Sequence, residues 1–161
     1  MINGFEPIIS KKPNIMILGS APSVISLKES EYYGNKNNSF WKILAKIYNT
    51  KELENYEKKK AFIIKNNIFL WDVVRNCNRK GSLDSEIKDV EPNEIKVILD
   101  TNPTIKAVMF NGKKAMQLYK KYINYYPKTI DFISLPSSSP AYTLSFENKL
   151  DIWEKAFIKY I

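Results

Sequence analysis

A chain without histidine cannot build a Ser-His-Asp triad, a Cys-His pair or an imidazole metal site. Its lone cysteine, Cys77, rules out an intrachain disulfide, a zinc cluster and a cysteine-ligated iron–sulfur cluster. Chemistry must run on carboxylates, amides, hydroxyls, lysines or oriented water, and no metal or cofactor is expected. Three stretches concentrate such groups. In Tyr32-Tyr33-Gly34-Asn35-Lys36-Asn37-Asn38-Ser39-Phe40-Trp41, two rings precede a row of amides. A tyrosine there can stack on a base while Asn38 orients water or a ring edge. Equally, two exposed tyrosines can cover the core edge while Asn38 caps a helix whose apolar face begins at Phe40 and Trp41. The loop Leu135-Pro136-Ser137-Ser138-Ser139-Pro140-Ala141 sets three hydroxyls between two prolines. Such a loop is stiff and can donate to phosphate oxygens, although ordinary Ser/Pro turn chemistry explains it as well. Gly19-Ser20-Ala21-Pro22-Ser23 lets the backbone approach a ligand, yet it matches neither a Walker A loop nor a G-x-G-x-x-G fingerprint. Arg75, Arg79 and Lys80 form a short basic cluster, read as solvated with DNA contact as the alternative.

The elements that must position these loops alternate in period. Ile15-Met16-Ile17-Leu18 is a short apolar run stopped by Gly19, and Ile68-Phe69-Leu70-Trp71 is a second; both read as buried strands. Residues 105–110 predict a third strand ending at Asn111-Gly112, and 131–135 a fourth. Between them, 39–48 places Phe40, Ile43, Leu44 and Ile47 at helical spacing. A Lys/Glu-rich helix is predicted over about 51–65, and Glu91-Pro92-Asn93-Glu94 reads as the opening of another. Residues 113–122 predict a helix with Ala115, Leu118 and Tyr119 on one side. The last helix, 145–160, should turn Leu150, Trp153, Phe157 and Ile161 inward. This order predicts a three-layer α/β/α fold around a mostly parallel four-stranded sheet, in one domain spanning 1–161. Ligands of such folds bind beyond the carboxyl ends of the strands. Four loops should therefore meet in one cleft: 19–23, 71–72, 111–112 and 136–141.

Bulk composition narrows the class. Eight Phe, ten Tyr and three Trp supply core material, and 161 residues suffice to bury it. No apolar run approaches a membrane span and the first residues carry no signal-peptide pattern, so a soluble cytoplasmic protein is expected; a monomer is the default expectation. A net charge of +8 suits a polyanionic partner. The charge comes from 23 Lys and only 2 Arg beside 16 Asn and 21 Ile, which is equally the mark of a compositional bias.

Taken together, the ordered strings Gly19-Ser20-Ala21-Pro22, Tyr32-Tyr33-Gly34, Asn38-Ser39-Phe40-Trp41, Leu70-Trp71-Asp72-Val73, Gly81-Ser82-Leu83-Asp84-Ser85, Phe110-Asn111-Gly112 and the Pro/Ser loop resemble the uracil-DNA glycosylase superfamily. The likeness is greatest to its hypoxanthine (deoxyinosine) branch and covers nearly the whole chain. The resemblance implies a monofunctional glycosylase that extrudes a deaminated base from DNA and hydrolyses its N-glycosidic bond by water attack. It implies Asn38 as the catalytic amide and Tyr33 as the ring on the flipped base. Gly19, Ser20, Phe40 and Asn111 would complete the base pocket, and Ser137, Ser138 and Ser139 would contact DNA. Trp71-Asp72 and Gly81–Ser85 match branch signatures with a structural role.

Departures refine the substrate. Ala21 stands where uracil-removing relatives often carry Asp or Asn, and the last motif lacks the histidine of the classical uracil enzymes. Both favour hypoxanthine over uracil. Ser23 replaces a glycine common in the branch and Asn35 a frequent histidine. Mismatch-dependent uracil removal, or a non-catalytic nucleic-acid-binding domain of the same fold, are the alternatives.

Overall fold

The apolar runs at Ile15 and Ile68 lie side by side in the computed structural model, which describes residues 1–161. After a two-residue strand β1 (Ile2–Asn3), they form β2 (Ile15–Gly19) and β3 (Ile68–Asp72). With β6 (Ala107–Asn111) and β7 (Asp131–Leu135) they make a wholly parallel sheet in the order β3-β2-β6-β7. Register pairs Gly19 with Asp72 and Asn111 with Leu135, so the carboxyl ends of neighbouring strands finish together. All five residues of β2 and of β6 are buried. That explains their continuous apolar runs, because a central parallel strand is covered on both faces. The outer edge of β3 is closed by an isolated antiparallel bridge to Ile8, whose N–H and C=O both pair with Leu70. This leaves less unpaired backbone on the edge.

The pleat sorts the core. Ile15 and Ile17 of β2 point to one side, with α2 (Phe40–Ile47), α3 (Tyr56–Lys65) and α6 (Phe146–Phe157). Met16 and Leu18 point to the other, with α4 (Ile95–Thr101) and α5 (Lys113–Tyr122). The expected three layers and parallel four-stranded sheet are present. Trp153 and Phe157 are fully buried, as the spacing required. Ile161 is not: it lies beyond α6 and a closing 3-10 turn, 54 % exposed.

Three elements differ from expectation. Val24–Glu29 is a short helix, α1, capped by the Ser23 hydroxyl, which accepts from Ser26 N at 3.1 Å. Six residues with Val24 and Ile25 exposed carry no readable apolar stripe. Val74–Asn78 (β4) and Lys88–Pro92 (β5) join β1 in a small antiparallel sheet. Glu91-Pro92 therefore closes a strand instead of opening a helix, and α4 starts only at Ile95. Pro92 is tolerated because it ends its strand, opposite Val74. Finally, α3 begins at Tyr56, where Asn55 caps it by accepting from Lys58 N at 2.9 Å.

Candidate active site

The carboxyl ends of the parallel strands floor a cavity of about 380 Å³. All four expected loops reach it: Gly19 at the end of β2 with Ser20 after it, Asp72 at the end of β3, Asn111 at the end of β6, and the serines after β7. The segment between α1 and α2 walls it with Tyr33 and Asn38. No lysine or arginine lines it, so an amine nucleophile has no place there. No group of three or more His, Cys, Asp or Glu side chains is placed to hold a metal ion.

Asn38 sits one residue outside α2, whose N-cap is Ser39. Its Oδ1 accepts from Phe40 N at 3.0 Å, and its own N–H donates to Asn35 O at 2.9 Å. Since the amide oxygen must meet the Phe40 N–H, Nδ2 is the end left without a protein partner, in a side chain that lines the cavity. The ordinary capping role and the chemical role thus use opposite ends of one amide.

Tyr33 is held in the left-handed region, φ +52°. A bulky side chain there costs on the order of 1–2 kcal/mol, which surrounding packing must offset. Its ring stacks on Phe40 with centroids 3.9 Å apart and planes 25° apart. Phe40 itself is fully buried and does not line the cavity. Its expected place against a base is thereby corrected: Phe40 backs the Tyr33 ring. The adjacent Tyr32 is buried, not exposed, and donates to Glu6 O at 2.8 Å. The Tyr33 hydroxyl is buried without a hydrogen-bond partner. Burial and the Asp72 charge raise its pKa, partly offset by the nearby Asn111 amide.

Asn111 and Ser138 form a reciprocal pair. Asn111 Nδ2 donates to Ser138 Oγ at 2.8 Å, and Ser138 N donates to Asn111 Oδ1 at 2.9 Å. Ser138 is only 1 % exposed. It is therefore the anchor of the Pro/Ser loop instead of the DNA contact expected from its hydroxyl. Ser137 and Ser139 remain at the rim, and each Oγ accepts a loop N–H, at 3.1 and 3.2 Å, keeping its own proton to donate. From beneath, α6 holds the loop: Trp153 Nε1 donates to Pro136 O and Lys149 Nζ to Ser139 O. Gly112 is required here, because its φ is +98° and a Cβ would sit 3.1 Å from that of Ser137. Asn111→Ala should strand two buried groups of Ser138 and cost about 2 kcal/mol. A denaturant midpoint that does not move would show the pair to be idle.

Two features escaped sequence reading. Asp72, to which the resemblance assigns a structural role, is 4 % exposed and lines the cavity with no hydrogen bond to its carboxyl. Burial first, then the Asp84 charge, push its pKa up to about 7, while Arg79 pulls the other way. A Cβ at Gly19 would lie 2.5 Å from Asp72 Oδ1 and 2.7 Å from Tyr33 Oη, so only glycine fits, and the two oxygens are neighbours. The second is a tethered flap, 79–85. Arg79 donates to Pro22 O and Gly81 O, Ser20 Oγ to Asp84 Oδ1 at 2.7 Å, and Val24 N to Ser82 Oγ at 2.9 Å. The basic cluster thus spends Arg79 on holding the first loop, while Arg75 pairs with Glu91 at the surface.

Residues 6–159 match the family model described as the uracil DNA glycosylase superfamily. Two proteins named hypoxanthine DNA glycosylase, from Methanosarcina barkeri and Methanosarcina acetivorans, are each 35 % identical over 158 residues, covering 96 % of this chain and 96 % of theirs. A solution NMR structure of a candidate uracil DNA glycosylase from Methanosarcina acetivorans superposes with a TM-score of 0.84 at 34 % identity, covering 98 % of this chain and 97 % of that one. By the family model that spans nearly its whole length and by relatives 35 % identical over 96 % of it, the chain belongs to the uracil DNA glycosylase superfamily.

Proposed function

We propose that this DNA glycosylase removes hypoxanthine from DNA, acting as a monomer on chromosomal DNA in the cytoplasm. Breaking a C–N glycosidic bond builds positive charge on the sugar and negative charge on the leaving base. The enzyme lowers that barrier by extruding the nucleotide and surrounding the base with donors. Asn38 carries the reading: an amide fixed by the Phe40 N–H, with its nitrogen free in the cavity. It holds the attacking water or the base edge. Tyr33, backed by Phe40, stacks on the base; Gly19, Ser20 and Asn111 shape the floor; Ser137 and Ser139 meet the phosphates. The names of the two Methanosarcina relatives and the absence of a cavity histidine support hypoxanthine over uracil. The cavity's lack of lysine supports hydrolysis without lyase action.

Separate duplexes carrying deoxyinosine, deoxyuridine and deoxyxanthosine test this directly. Strand scission after alkali is expected first with deoxyinosine. Faster scission of the uridine duplex would transfer the reading to uracil, no scission of any would leave a binding domain, and scission before alkali would mean a lyase.

A further inference from the structure

Asp72 is a second polar group of the cavity that the chemistry above does not use. It closes β3 in register with Gly19, and it is more than nine-tenths buried. No protein donor meets its carboxyl, which faces the cavity, and its neighbour across Gly19, the Tyr33 hydroxyl, is buried without a partner. A buried hydroxyl without a partner is costly to the fold, and a carboxyl that faces the cavity without a protein donor is free for a ligand; a ligand with complementary groups meets both. The ligand of this cavity leaves as an electron-rich heterocycle. We propose that Asp72 is the general acid of the reaction, donating its carboxyl proton to the departing purine. The inference rests on the hypoxanthine reading.

The step balances. The Asp72 O–H bond breaks and the proton goes to a ring acceptor of the base. The C1′–N9 bond breaks with its electron pair staying on the base, which departs neutral. Water adds its oxygen to C1′ and releases a proton to solvent, and the Asp72 carboxylate regains one from solvent. The groups facing Asp72 are compatible with this. Tyr32 and Tyr33 are phenols held neutral by burial, Asp84 opposes ionisation and Arg79 favours it. With a pKa of about 7, the acid form is abundant at neutral pH. A bound base that gains negative charge beside the carboxyl raises its population further.

The test is single-turnover cleavage of a deoxyinosine duplex at subsaturating protein, from pH 6 to 8, for the wild type and Asp72→Asn. Asparagine keeps the shape and a donor but has no proton to give. At pH 6 the variant should be slower by about 10²-fold, with duplex binding by anisotropy unchanged. By pH 8 the deficit should shrink about tenfold, because the wild type has ionised. A deficit below threefold at pH 6, or one equal at both pH values, overturns the acid role. Should the variant fail to fold, the wild-type profile decides, since a rate flat from pH 6 to 8 also overturns it. A wild type that releases no base from deoxyinosine sinks the hypoxanthine reading itself, a result distinct from full activity in the variant.

Discussion

Asn38→Ala is expected to slow release of hypoxanthine from a deoxyinosine duplex by about 10²–10³-fold, the usual loss when one aimed donor is removed from a reacting centre. The structure makes the effect separable from folding. Only Oδ1 serves the helix, through Phe40 N, and losing that bond costs about 1 kcal/mol, as for other helix-start side chains. A thermal midpoint measured alongside the rate should therefore fall slightly while the rate falls steeply. Asn38→Asp then divides the two roles open to the amide nitrogen. It keeps an acceptor for Phe40 N but offers a carboxylate where Nδ2 stood. A carboxylate holds water at least as well, so retained activity means that Asn38 positions water; lost activity means that it donates to the base. Full activity in Asn38→Ala would remove it from the chemistry altogether.

The second large effect is on stability. Asp72 has its pKa raised from 3.8 to about 7 in the folded chain, chiefly by burial. Below the unfolded value both states hold the proton and nothing is lost. As pH rises from about 4 to about 7 the unfolded chain releases the proton while the folded chain keeps it, so stability falls, and above about 7 the loss levels off. Its ceiling is roughly 4 kcal/mol, from about 1.4 kcal/mol per pH unit. Asp72→Asn abolishes the loss. Its unfolding free energy should exceed that of the wild type at pH 8 by on the order of 2–4 kcal/mol, with little difference at pH 4. Urea titrations at both pH values check this. An equal difference at the two would show that Asp72 is not buried as an acid. A residue whose replacement steadies the fold and slows the reaction is kept for its function.

Much of this architecture is written locally. The runs at Ile15, Ile68 and Ala107 are fixed by burial of the strands they form, and the strand-end rule then places Gly19, Asn111 and the Pro/Ser loop in one cleft. What is set by neighbours is not legible. Ser137, Ser138 and Ser139 are identical by type, and only the reach of Asn111 makes the middle one the buried anchor. Phe40 and Tyr33 are both aromatic beside the same loop, yet helix α2 turns one inward and leaves the other at the cavity. Asp72 follows an apolar strand just as a surface carboxylate would. Its burial comes from the register with Gly19 and from Tyr33, a contact across 39 positions of chain. The β4–β5 sheet is not legible because its strands bury few residues and carry polar ones between, so no clean alternation marks them.

The central claim, that the cavity over Gly19, Asp72 and Asn111 excises an intact hypoxanthine, is tested most directly by identifying what leaves the DNA. The purified protein is incubated with a deoxyinosine duplex and the small molecules released are determined by mass spectrometry. Free hypoxanthine in step with the alkali-labile sites, and none from Asn38→Ala, is the expected result. Release of deoxyinosine or its phosphate, or of no base at all while the duplex is bound, would contradict it.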